Sequence, residues 1–236
     1  MLADSRCDLR AECTRVVTFE RAAEARGNRL EALYVLAINT GIRQGELLGL
    51  QWSDIDWTSR SLSISRGLQE LKNGTMAILP PKTAASRRRV ALSDGSISVL
   101  RKHQAAMFGE GHRVLADGLV SVLPSHEAAM SECACVWLFC DTKGQPLRKS
   151  NFVRRSFQPL LKAAGLPKTF TFHDLRHTAA TPMLLSNESP KVVSEMLGHS
   201  RIAITMDVYS EVMPGMQQGA VDRLAALLAA ATAGAT

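Results

Sequence analysis

HDLRHTAATPMLLSNESPKVVSEMLGHSRIAITMDVY, the stretch from His173 to Tyr209, carries His173, Arg176, His177, His199 and one of only two tyrosines in the chain. Side chains of these types can together open a phosphodiester without a metal ion. An arginine offers a phosphate a planar fork of donors. A histidine moves protons or donates to an oxyanion near neutral pH. A tyrosine hydroxyl can serve as a covalent nucleophile. His173 and Arg176 are three residues apart, so on a helix they share a face. A helix starting near His173 turns its positive end toward bound anions. A second arginine, Arg43, stands far upstream in TGIRQGELLGLQWSDIDW, residues Thr40 to Trp57. Two guanidinium groups on one phosphate are a stronger arrangement than one.

The ordered set TGIRQGE, HDLRH, LGHS and a tyrosine ten residues after the last histidine resembles the catalytic domain of the tyrosine recombinases. These are the phage and mobile-element integrases and their chromosomal relatives. The resemblance runs from about residue 18 to about residue 225. It implies a mainly α-helical fold with a small three-stranded antiparallel β-sheet. It also implies roles. Arg43 and Arg176 clamp the scissile phosphate, His199 donates to a non-bridging oxygen, and Tyr209 is the nucleophile. Lys82, in PPKTAASRRRV, protonates the departing 5′ oxygen, or else makes an ordinary phosphate contact. Glu46 orients basic side chains, its bland alternative being a helix-surface charge. A phenol titrates near 10, so Tyr209 needs local help at pH 7, and His173 is the candidate proton acceptor. His177 reads as a supporting residue. Arg87, Arg88 and Arg89 form a charge run that either contacts DNA or is simply solvated. Arg154, Arg155 and Arg201 are further candidate DNA contacts.

The implied activity is site-specific DNA cleavage and exchange through a 3′-phosphotyrosyl intermediate. Energy is conserved in that ester, so no nucleotide cofactor is expected, and no nucleotide-binding loop motif is present. His173-xxx-His177 has the spacing of a zinc helix, but Asp174 stands where a metalloprotease needs glutamate and Arg176 would set a cation beside the metal. No metal is expected, and no tight carboxylate cluster suggests paired divalent ions. Double-stranded DNA is the implied partner, on which copies of the chain assemble, with residues 218 to 231 either docking on a neighbour or packing on their own domain. Two rival readings are a DNA-binding remnant of an integrase and a type IB topoisomerase.

There are departures from the family pattern. Relatives carry an N-terminal helical domain that grips the opposite face of DNA. Here residues 1 to 17 are unassigned and expected to be loose, and residues 18 to 236 form the catalytic domain. Pro182 falls inside the helix after HDLRH, where an interior proline costs roughly 3 kcal/mol. Glu188 falls where the family prefers a hydrophobe.

Composition agrees with a folded intracellular chain. The 236 residues are 46% hydrophobic and 21% charged, with a net charge of +6, a modest basicity that suits a polyanion. Five cysteines, an odd number in a chain of this size, argue against a disulfide framework. No run approaches a membrane span and MLADSRCDLR is not a signal peptide, so the cytoplasm, in contact with the nucleoid, is the expected compartment.

Periodicity supplies the local plan. Leu30, Leu33, Tyr34 and Ala37 keep helical spacing, with Thr40 and Gly41 as the stop and Arg43 in or after the turn. SLSIS, TMAILPPK and RRRVALS read as three strands, with Asn73-Gly74 as the hairpin turn between the first two. Ser93 and Asp94 start a helix to about Met107. ACVWLFC reads as a buried strand, and Gly144-Gln145-Pro146 as a turn. Ser150 caps a helix through Phe152, Phe157, Leu160 and Leu161 to near Gly165. Pro190 opens a helix that Gly198 closes.

Overall fold

The computed structural model describes residues 9–80, 87–109, 113–114, 134–186, 188–199, 201–206, 221 and 225. Its elements run α1 Leu9–Ala25, α2 Glu31–Thr40, α3 Gln44–Leu48, β1 Ile55–Asp56, β2 Ser61–Ile64, β3 Gly67–Glu70, β4 Met76–Leu79, β5 Arg88–Ala91, α4 Asp94–Gly109, β6 Arg113–Val114 and β7 Ala134–Cys135, followed by α5 Lys149–Phe152, a π-helical turn Val153–Phe157, α6 Gln158–Ala163, α7 Asp174–Leu185 and α8 Pro190–Leu197. The expected mainly helical architecture with small antiparallel sheets is what the chain adopts.

At the centre lies α2. Ala32, Leu33, Tyr34, Leu36, Ala37, Ile38 and Thr40 are all buried, so the helix is apolar nearly all round, as a fully enclosed helix must be. It is covered by α1, α4 and α7. An aromatic knot fastens these layers. Phe19 of α1 meets Tyr34 edge-on at 5.1 Å, and Phe152, Phe157 and Phe172 close around them. The Tyr34 hydroxyl finds Ser156, in the π-helical turn, at 2.6 Å, and burial raises its pKa. Tyr34 is therefore a core residue, as its spacing predicts. A satellite core of Ala180, Leu184, Val193 and Leu197 binds α8 to α7.

The sheet differs from its sequence reading. The three-stranded sheet is β1-β2-β5, with Leu62 opposite Val90 and Ile55 opposite Leu62. The Asn73-Gly74 turn instead closes a separate hairpin of β3 and β4. A strand at Gly67–Glu70 was not expected. With only Leu68 fully buried and glycine at its head, it lacks the alternation that marks a strand. Gly45 of α3 and Gly49, its C-cap, let the β3 backbone approach, since a β-carbon on either would stand 3.1 or 3.0 Å from Leu68 backbone atoms.

Other expectations are corrected. Residues 9–17, expected to be loose, belong to α1, which begins at Leu9 and buries Val16. Of ACVWLFC only Ala134–Cys135 is a strand, although Leu138, Phe139 and Cys140 are buried as foreseen. Arg148, not Ser150, is the N-cap of α5, and the Ser150 hydroxyl turns to Glu70. Pro182 does lie inside α7, and the helix continues through it. Of the expected helix 218 to 231 only residues 221 and 225 are described. No described helix is long and apolar enough to cross a membrane.

Candidate active site

Two helix stops and one helix start build the site. Gly41 ends α2 in the left-handed region, φ 61°, where a side chain is strained. Gly198 ends α8 in the same way, φ 69°, its N–H bonding Glu195 and that of His199 bonding Ser194. These paired bonds are the usual left-handed helix stop. They leave the Gly198 carbonyl free to look outward and set His199 beside it.

Between them stands the start of α3. Arg43 is its N-cap residue and Glu46 its third residue, so the Glu46 carboxylate turns back to accept from the Arg43 backbone N–H at 3.2 Å. That geometry faces the Glu46 side chain toward the site. The Arg43 guanidinium donates through Nη1 to Glu46 at 3.1 Å and through Nη2 to the Gly198 carbonyl, 155 residues away, at 2.6 Å.

Arg176 comes from the first turn of α7. It is 5% exposed. Its Nη1 donates to the Gly41 carbonyl, 135 residues away, at 2.6 Å. Its Nη2 is buried and has no hydrogen-bond partner among the described residues. Burial first, then the cations of Arg43 and Arg88, pull its pKa down to about 9, still above neutral, so the group stays charged. Each arginine is thus tied to the carbonyl of a glycine on the other's side of the site.

His199 sits next to this pair with its Nδ1 2.8 Å from the Thr205 hydroxyl. Burial and the nearby charges of Arg176, Arg43, His177 and Arg88 drive its pKa to about 4, so it is neutral at pH 7. His173 is exposed, meets His177 edge-on at 4.8 Å, and has its pKa lowered by partial burial, His177 and Arg176. A neutral His173 can accept a proton. Among the described residues no group of three or more His, Cys, Asp or Glu side chains is placed to hold a metal. Lys82 and Tyr209 lie outside the described residues.

Arg88 corrects a sequence expectation. Its side chain is 6% exposed, and its guanidinium donates to both Glu46 oxygens, at 3.2 and 2.9 Å, and to the Met196 carbonyl at 2.7 Å. These bonds make it an internal strut where an outward-facing cation was expected. The reason is strand alternation. In β5, Arg88 shares the inward face with Val90, while Arg87 and Arg89 point out. Arg88 also occupies the space in front of Gly198, where a β-carbon would stand 2.6 Å from its Nη1. Held by these cations, Glu46 is 8% exposed and keeps its pKa below the ordinary value despite the opposing pull of burial.

The exposed cations Arg87, Arg89, Arg154, Arg155 and Arg201 remain at the surface. Arg154 lines an open cleft of about 1250 Å³ that runs from Arg43 and Gly198 between the β3-β4 hairpin and the α5-π segment. Sequence reasoning read Gly41 and Gly198 as helix stops but missed their carbonyls as arginine acceptors, the Glu46 pairing of Arg88 and the contact of Thr205 with His199. The inward parity of Arg88 with Val90 and Leu92 was the available signal for one of them.

Residues 11–215 match the sequence model of the phage integrase family. The XerC-like tyrosine recombinase of Caldanaerobacter subterraneus subsp. tengcongensis is 33% identical over 208 residues, covering 84% of this chain and 50% of that protein. The ICEBs1 integrase of Bacillus subtilis is 28% identical over 201 residues, covering 84% and 49%. The chain therefore spans about half the length of the curated relatives it matches. Among solved structures, the Tn1549 transposon integrase in complex with a circular intermediate DNA superposes with a TM-score of 0.69 at 22% identity, covering 88% of this chain and 63% of that one. XerA recombinase superposes with a TM-score of 0.61 at 20% identity, covering 89% and 62%.

Proposed function

The chain belongs to the phage integrase family, and from that premise we propose that it cuts and rejoins DNA strands at specific sites through a 3′-phosphotyrosyl intermediate. The observation that carries this reading is the buried Arg176 guanidinium, tied to the carbonyl of the Gly41 stop as Arg43 is to that of the Gly198 stop, with one nitrogen unpartnered among the described residues. A cationic pocket whose Glu46 carboxylate is already engaged by two arginines is suited to an added anion.

In this mechanism the Tyr209 oxygen attacks phosphorus in line with the 5′ oxygen. Its proton passes to neutral His173. Arg43, Arg176 and the His199 ring N–H stabilise charge on the non-bridging oxygens. The bond from phosphorus to the 5′ oxygen breaks, and Lys82 protonates the leaving hydroxyl. A 5′ hydroxyl from another strand later attacks the phosphotyrosine and releases Tyr209. Glu46 and Arg88 hold Arg43 in place, and His177 lies against His173. Arg87, Arg89, Arg154, Arg155 and Arg201 take DNA phosphates. The working unit is a set of copies assembled on double-stranded DNA through residues 218 to 231, inside the cell at the nucleoid.

The test is a nicked suicide substrate carrying the core site of the parent element. A covalent protein–DNA adduct that disappears in Tyr209→Phe is expected. Tight specific binding with no adduct would favour a DNA-binding remnant instead. Relaxation of plasmids that lack the site would point to a topoisomerase.

A further inference from the structure

The inner nitrogen of His199 has a defined partner that the reaction does not touch. Nδ1 lies 2.8 Å from the Thr205 hydroxyl, and Thr205 is 1% exposed. Thr205 stands on the helical turn formed by residues 202–206. A neutral imidazole carries one N–H, and the hydrogen bond at one nitrogen decides where that proton sits. A threonine hydroxyl can donate or accept, so the pair has two arrangements. If Nδ1 carries the proton, Nε2 offers a lone pair to a negatively charged phosphate oxygen, which repels. If the hydroxyl donates to Nδ1, Nε2 carries the proton and can donate. The ring cannot escape this choice by becoming doubly protonated, because burial and the surrounding arginines keep it neutral.

We propose that Thr205 is a positioning residue whose hydroxyl donates to Nδ1 of His199 and so fixes the ring proton on Nε2, toward the scissile phosphate. The proposal rests on the recombinase reading above for its last clause. The tautomer itself is independent of that reading and can be measured without DNA. Thr205→Val keeps the shape and removes the hydroxyl, and Thr205→Ser restores the hydroxyl.

The experiment has two arms on the 236-residue chain. In the first, the chain is labelled with ¹⁵N-histidine and its ring nitrogens are read at pH 7. His199 is assigned among the six histidines by its loss in His199→Gln. The expected spectrum places the proton on Nε2 in the wild type and in Thr205→Ser, and a mixture of tautomers in Thr205→Val. A proton on Nδ1 in the wild type overturns the proposal, and so does a Thr205→Val spectrum identical to the wild type.

In the second arm, single-turnover cleavage of the suicide substrate is expected to slow about ten- to a hundredfold in Thr205→Val with DNA affinity unchanged. Thr205→Ser is expected to recover most of that rate. Cleavage by Thr205→Ser as slow as by Thr205→Val assigns the loss to packing and overturns the proposal. Should Thr205→Val fail to fold, the wild-type tautomer and the Thr205→Ser rate still decide. A wild type that forms no adduct sinks the recombinase reading and leaves the spectroscopic arm standing.

Discussion

Arg43 and Arg176 do the same kind of work from opposite sides of one pocket, yet the fold treats them differently. Arg43 keeps 40% of its side chain in solvent and has a carboxylate partner, Glu46, at 3.1 Å. Arg176 is 5% exposed and has a carbonyl at 2.6 Å and a buried nitrogen with no partner among the described residues. The first is a compensated cation that the native state can keep without help. The second is an ion taken out of water with little in return, which costs several kcal/mol unless an anion arrives. In a low-dielectric setting that same charge attracts a phosphate more strongly than a solvated one does. The difference teaches that, under the proposed function, folding energy is set aside at Arg176 for recovery when a phosphate binds, with Arg43 at the rim.

The largest expected effect follows from this contrast. Arg176→Gln should slow cleavage about 10²–10³-fold, the usual loss for one transition-state donor, while the melting temperature stays level or rises. Arg43→Gln should slow cleavage less and lower the melting temperature, because it leaves Glu46 short of a partner. Thermal melts beside single-turnover rates measure both. A drop in melting temperature for Arg176→Gln as large as for Arg43→Gln would break the comparison, for the buried cation would then be stabilising the fold.

Next in size is the strut between the two. Arg88→Met keeps the aliphatic stem but strips Glu46 of bonds to both oxygens and leaves the Met196 carbonyl without this donor. Removing one partner of a buried ion pair costs about 3 kcal/mol, to be read from the midpoint of urea unfolding. An unchanged midpoint would mean that Arg43 alone holds Glu46.

What the sequence disclosed about this pocket, and what it hid, divides along the same line. The helix stops were legible, because Gly41 and Gly198 follow apolar-periodic runs and glycine tolerates the left-handed turn. That α8 runs from Pro190 to Leu197 and ends at Gly198 could be read directly. The convergence of Arg43, Arg176 and His199 rested on resemblance, since no local rule brings Arg176 to the Gly41 stop 135 residues away. The hairpin register was misread because Gly67–Glu70 lacks an apolar alternation, and its pairing depends on α3 glycines that admit its backbone. Arg88 was misread because a run of three arginines looks solvated, and only strand parity turns the middle one inward. Residues 9–17 were misread as loose because α1 is only weakly amphipathic, with Val16, Phe19 and Ala23 as its buried residues.

A smaller effect concerns acid. His199 has a folded pKa near 4 against an ordinary 6.5, and that of His173 is also lowered. Between those values the unfolded chain binds more protons than the folded one, so stability falls as pH drops from about 6.5 toward 4. Glu46, also lowered, adds a loss of the same sign at still lower pH. Urea unfolding from pH 7 to pH 5 should therefore show declining stability, and His199→Gln should flatten part of the slope. A flat wild-type curve would mean that neither burial nor the arginines depress the ring's proton affinity, which would break the contrast between rim and interior.

The smallest effect separates surface arginines from the internal one. Arg154 is exposed, lines the cleft that begins at Arg43, and among the described residues has a 3.5 Å contact to Asn151. If it neutralises one DNA phosphate, Arg154→Ala should reduce the slope of log affinity against log salt by about 0.9, the counterion released per contact. Arg88→Met removes the same formal charge from a position enclosed by Glu46 and Met196. It should weaken binding through misplacement of Arg43 yet leave the salt slope where it was, if the Arg88 guanidinium exchanges no counterion with DNA. Equal slope changes in the two variants, measured by DNA titration over a salt series, would place Arg88 at the DNA surface after all.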